Sequence, residues 1–168
     1  MSYFKQFLIE SSYNLLQTFV IKAWGKLLYL DYLSLPEGSD ESSNPELISL
    51  AKEYEAAEKT KDETKIDELD DWINEGCKMK NGKYLLSKKT IDIILSSAQH
   101  KAGKTFTLYR FDHKENKLKP NAWISMTRNS KGYSGNSTAY EIKPDDLIID
   151  AHGLADDQEV IINTNILL

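Results

Sequence analysis

The sequence predicts an α+β protein in which helices come first and strands follow. Two observations carry that reading: apolar residues at helical spacing dominate the first hundred positions, and short alternating or β-branched runs bounded by turn formers fill the rest. Continuous apolar stretches are too short for a bilayer, which needs about 20 such residues. The longest, Leu15 to Leu33, is broken by Gln17, Lys22, Lys26 and Asp31. Within it Leu8, Leu15, Leu16, Phe19, Val20, Trp24, Leu27 and Leu28 fall near helical spacing, so residues 1–34 are expected to carry an amphipathic helix. Its polar face is only mildly basic, which argues against a membrane-surface role.

Residues 35–44, from Leu35-Pro36 through Asn44, are rich in turn formers and read as a polar linker. Residues 45–168 then form a helical segment and a strand domain. Asn44 is placed to cap a helix with Pro45 at its first position, running to about Glu58. A second helix is expected from Asp62 to Glu75, stopping at Gly76, and Asn81-Gly82 suits a tight turn. Ser87 caps a third helix through Ile91, Ile94 and Leu95, which Gly103 is expected to close. Strands are expected over Thr105–Tyr109, Ala122–Thr127, Ser137–Ile142, Leu147–Asp150, Glu159–Ile162 and Ile166–Leu168.

Composition narrows the function classes. A chain of 168 residues can bury a core without staples, and the lone Cys77 cannot form an intramolecular disulfide or by itself a zinc site. The net charge of −5 argues against a general nucleic-acid binder. That charge is uneven: from Glu37 to Glu75 four lysines stand against fourteen acids, a balance of −10, which leaves +5 for the rest. A mildly basic remainder is compatible with an anionic dinucleotide. Phosphate-cradling glycine loops do not occur, and His100, His113 and His152 lack metal-ligand spacing, so no metal site is expected.

Three motifs in the last third carry chemistry. Arg110 closes the strand Leu108-Tyr109-Arg110, Ser125-Met126-Thr127 forms a polar-edged strand, and Asp157 and Glu159 make an acid-x-acid pair. Cleavage of the bond between nicotinamide and ribose builds positive charge on the sugar, which a fixed carboxylate stabilises. Arg110 can grip phosphate with its guanidinium, a serine can brace the carboxylate, and Asp157, two residues from Glu159, shares its face in an extended chain.

In that order the motifs resemble the mono-ADP-ribosyltransferases of the Arg-Ser-Glu type, whose pattern is an arginine strand, a Ser-Thr-Ser strand and an acid-x-Glu turn followed by apolar residues. The resemblance covers roughly residues 84–168 and is best over Thr105–Arg110, Trp123–Arg128 and Asp156–Ile162. Trp123 to Arg128, followed by Gly132-Tyr133-Ser134-Gly135, is also similar to phage-encoded proteins with a degenerate form of that fold. The chain departs from the pattern at Phe111, where a glycine is usual, at Met126 and Thr127, and at the shorter Asp157.

The resemblance implies a mostly antiparallel transferase-like core that uses NAD as substrate. Glu159 would be the main catalytic residue, Ser125 its brace, and Asp157 the acceptor-side residue. Arg110, Ser125 and Thr127 would hold the dinucleotide, with Tyr133 stacking on a ring. The acceptor would be a bacterial host protein, with no nucleic acid or membrane as partner. Met1 to Glu10 also resembles the leader of proteins packaged in tailed-phage heads, cut after an aliphatic-x-Glu sequence such as Leu8-Ile9-Glu10. That resemblance implies a virion interior or host cytoplasmic location. Two other readings stand beside the transferase: an NAD glycohydrolase, and a non-enzymatic virion or partner-binding protein that keeps a degenerate fold.

Overall fold

The structure, a computed structural model, describes residues 13–27, 44–74, 77, 82, 85–112, 118–131, 136–151 and 159–168. The expected leader at residues 1–10, most of the linker at 35–43, the Asn81 half of the tight turn, Tyr133 and Asp157 lie outside them. The chain divides into a helical unit, residues 10–98, and a unit that holds the strands, residues 99–168.

Four α-helices are described: α1 (Leu15–Leu27), α2 (Pro45–Thr60), α3 (Glu63–Asn74) and α4 (Lys88–Ala98). The expected starts of α2 and α4 hold in atomic detail. Asn44 Oδ1 accepts from the Glu46 N–H at 2.8 Å with Pro45 in the first turn, and Ser87 Oγ accepts from the Thr90 N–H at 3.2 Å. Each helix buries one stripe. α2 contributes Leu47, Leu50, Ala51, Tyr54 and Ala57, and α4 contributes Ile91, Ile94, Leu95 and Ala98. The central α1 supplies Phe19, Val20, Ile21 and Ala23, and its Phe19 ring meets Tyr54 edge-on at 5.7 Å. Burying a side chain such as Leu47 or Ile91 fully stabilises by about 1.5–3 kcal/mol. Between α2 and α3 the chain turns sharply at Lys61, φ 54°, whose N–H reaches back to the carbonyls of Ala57 and Glu58.

Among the described residues, the acids of the stretch noted in the sequence lie mostly on the solvated side of α2 and α3. Lysines neutralise part of it: Lys65 lies 2.6 Å from Glu53, Lys59 lies 2.9 Å from Glu55, and Lys22 of α1 pairs with Glu58. The Glu53 carboxylate holds the Lys65 ammonium above its usual range, chiefly through their hydrogen bond.

The strands are β1 (His100–Lys101), β2 (Phe106–Asp112), β3 (Trp123–Thr127), β4 (Asn136–Ile142), β5 (Leu147–Asp150) and β6 (Glu159–Asn163). They form one antiparallel sheet in the order β1-β5-β6-β3-β2-β4. Helices followed by an antiparallel sheet is the expected α+β class. The core on one face joins Leu108, Ile124, Met126, Ile142, Ile148, Val160 and Ile162, with Phe106, Leu118 and Tyr140 packed against it. On the other face Trp123, Ile149 and Ile161 are also buried.

Two expected elements are corrected. The helix expected to close at Gly103 ends at Ala98, because His100 and Lys101 pair with Ile148 and Leu147. Gly103 instead takes φ +76° in the turn that follows, donating its N–H to the Pro144 carbonyl at 2.8 Å. Residues Ile166–Leu168 do not form a strand: Thr164–Ile166 is a turn of 3-10 helix, capped by Asn163 Oδ1 accepting from the Asn165 N–H at 3.0 Å. Thr164 pins this turn to the chain entering β3. Its hydroxyl donates to the Lys119 carbonyl at 2.7 Å and accepts from the Ala122 N–H at 3.1 Å.

Candidate functional site

Strand order brings the three motif strands together. β2, β3 and β6, which carry Arg110, Ser125 with Thr127, and Glu159, are consecutive neighbours in the sheet. β3 and β6 pair along their whole length from Trp123–Asn163 to Thr127–Glu159, so the last residue of β3 faces the first of β6. In an antiparallel pair, opposed residues share a face and alternate residues return to it. Ser125, Thr127 and Glu159 therefore lie on one face, together with Tyr109, which opposes Thr127.

Arg110 follows Tyr109 and so belongs to the opposite face, with Leu108 and Phe106. The contact between its strand and β3 is also brief. Among the described residues β2 and β3 are in register at Tyr109–Thr127, whereas β2 and β4 pair from Phe106–Ile142 through Asp112–Asn136. The β2–β3 pairing is thus far shorter than the β2–β4 ladder on the other side of β2. Leu118, from the chain joining the two strands, packs on the core.

Hydrogen bonding distinguishes the two hydroxyls of β3. Thr127 Oγ1 accepts from the Asn129 N–H at 3.1 Å and so shapes the bend that ends the strand. Ser125 Oγ is enclosed and has no hydrogen-bond partner among the described residues. A buried hydroxyl left in that state costs about 1–3 kcal/mol, and such atoms often mark a place where a ligand or a moving group completes the bonding.

A second polar cluster was not foreseen. Arg128, next after Thr127, donates from Nη2 to Asp150 Oδ2 at 3.2 Å, and its guanidinium lies 5.1 Å from the centre of the Phe106 ring. The Asp150 side chain is 10 % exposed and that of Arg128 31 %. Asp150 pairs with Val160, and Val160 with Met126, so the ion pair crosses β6 beside Glu159. A signal for it existed in the sequence: Asp150 ends the apolar run Leu147-Ile148-Ile149, at a position whose side chain points the same way as Ile148. A carboxylate there calls for a cation, and Arg128 reaches it.

Among the described residues no helix is long and apolar enough to cross a membrane, and no group of His, Cys, Asp and Glu is arranged to hold a metal ion. The described residues thus define an α+β protein whose antiparallel sheet carries a polar cluster where β3 ends and β6 begins. No protein-family model, curated protein or solved structure matches the chain.

Proposed function

We propose that the strand unit is an ADP-ribosyltransferase-like domain that cleaves NAD and transfers ADP-ribose to a bacterial host protein. The observation that carries this reading is the adjacency of β2, β3 and β6, which gathers Ser125, Thr127 and Glu159 on one face and sets Arg110 on the neighbouring strand. In the proposed step the bond between ribose C1′ and the nicotinamide nitrogen breaks, nicotinamide leaves with the bonding pair, and a nucleophile on the acceptor bonds to C1′. Glu159 stabilises the positive charge that builds on the sugar and hydrogen-bonds a ribose hydroxyl. Ser125 Oγ, buried and without a partner among the described residues, would brace that carboxylate or the ribose. Asp157, two residues before Glu159, would take the acceptor's proton. With water as acceptor the same site is an NAD glycohydrolase.

One observation favours a different reading. Arg110 and Glu159 belong to opposite faces of the sheet, which is the arrangement expected of a domain that has kept the strands of a transferase and lost its site. Such a protein would act by binding a partner, as a phage virion protein could. Labelled NAD, purified protein and a bacterial lysate separate the readings, with Glu159→Ala and Glu159→Gln beside the unaltered chain. Protein labelling that both substitutions abolish supports the transferase, and nicotinamide release without labelling supports hydrolysis. Absence of turnover together with absence of NAD binding overturns both and leaves the binding protein.

A further inference from the structure

We propose that β4 is a self-recognition edge through which two copies of this chain pair antiparallel about a two-fold axis at Ala139. Among the described residues the sheet has two edge strands, and they differ. β1 ends one side after two residues, one of them Lys101, and a short charged edge discourages a further strand. β4 ends the other with seven residues, Asn136 to Ile142, which include neither proline nor lysine. Its pairing with β2 runs unbroken from Asp112–Asn136 to Phe106–Ile142, so no bulge turns it aside. Every second residue of an edge strand points its N–H and C=O away from the neighbouring strand, and along β4 these groups have no partner among the described residues. Ser137, Ala139 and Glu141 on one face, and Asn136 and Thr138 on the other, are exposed as well.

The side chains select the occupant. A two-fold axis normal to the sheet makes the two edges antiparallel, as every other pair in this sheet is, and opposes residues equally distant from the axis. With Ala139 on the axis all seven residues find a partner: Thr138 faces Tyr140, Ser137 faces Glu141 and Asn136 faces Ile142 of the second copy. Ala139, the smallest side chain of the strand, lies where the copies meet. Threonine against tyrosine is a β-branched and aromatic cross-strand pair, and the Ser137 hydroxyl is set to donate to the Glu141 carboxylate of the second copy. Glu141 is the one charged residue of β4, and this register holds the two copies of it about 14 Å apart, beyond the Debye length of about 8 Å. An axis at Glu141 would set the two carboxylates face to face, and one at Tyr140 would bring them to about 8 Å. A peptide of unrelated sequence needs apolar pockets to be selected by a strand edge, whereas this strand presents Ser137, Ala139 and Glu141 on its fully exposed face. The pairing is independent of any reaction at Glu159.

Sedimentation velocity of the full chain, over a concentration range of about a hundredfold reaching about 200 μM, tests this pairing. One strand pair buries little area, so a monomer–dimer equilibrium in the micromolar range is expected. Ala139→Lys and Ala139→Glu each place like charges about 5 Å apart at the axis, from an exposed position that leaves the core of the monomer untouched, and each should weaken association by about tenfold or more. Mixed in equal amounts, the two variants set opposite charges against each other and should associate again at least as tightly as the wild type. Urea unfolding of each variant alone checks that the monomer keeps its stability. A wild type that stays monomeric throughout the range would overturn the pairing and leave the edge to a partner of other sequence. Association indifferent to both substitutions, or variants that dissociate and fail to associate when mixed, would overturn it too.

Discussion

Ser125 Oγ is enclosed without a partner among the described residues, which gives substitutions there an unusual signature. Ser125→Ala removes an unsatisfied group, so urea unfolding should show stability unchanged or raised by up to about 1 kcal/mol. The same substitution should slow any NAD turnover; a loss of stability above that size would mean the hydroxyl has a partner after all. Cys77 offers a second test. Burial pushes its thiol up to about 12 from a usual value of 9.0, which disfavours the thiolate. Because the folded value is the higher one, the thiol's contribution to stability is complete below pH 9 and is lost as pH rises from there toward 12. Thiol reagents at pH 8 should therefore label the native chain far more slowly than the urea-unfolded one, and equal rates would contradict the burial. The sequence discloses part of this scale. That Ser125 and Thr127 share a face follows from strand periodicity, and so does the opposition of Tyr109 and Arg110. Which strand face meets which is not disclosed, because ten residues, 113–122, join β2 to β3 and leave their register free.

Helix starts were the most legible elements, since a capping side chain and a first-turn proline act within a few residues. Asn44→Ala should lower stability by about 1 kcal/mol through the lost bond to the Glu46 N–H, measurable by thermal or urea unfolding. The misread ends have the opposite cause. Gly103 is satisfied by the Pro144 carbonyl and Thr164 by Lys119 and Ala122, partners about forty residues away in sequence, which no local pattern reveals. Thr164→Val keeps the shape and removes the hydroxyl. It strands the Ala122 N–H and the Lys119 carbonyl, and should cost about 2–3 kcal/mol by the same unfolding measurement. A cost below about 0.5 kcal/mol would mean that water replaces both bonds.

For the whole molecule, the order of helices and strands was legible because their hydrophobic periods differ, and the division near residue 99 follows that change of period. The strand unit has its own core, so Leu108→Ala, at a site fully buried in it, should cost about 2–5 kcal/mol. Amide exchange in that variant should accelerate across all six strands; acceleration confined to β2 would show that the sheet does not open as one body. The brief pairing between β2 and β3 has a mechanical consequence. On one side of that junction, β3 is paired to β6 throughout, and its incoming chain is tied to the last helical turn by Thr164 and by the Asn121 N–H donating to Asn165 Oδ1 at 2.8 Å. On the other side, β2 has β4 as its long neighbour, and β4 is an edge strand with mostly exposed side chains. Unzipping of the sheet should therefore begin between β2 and β3, with β2 and β4 leaving as one ribbon and Glu159 remaining beside Thr127.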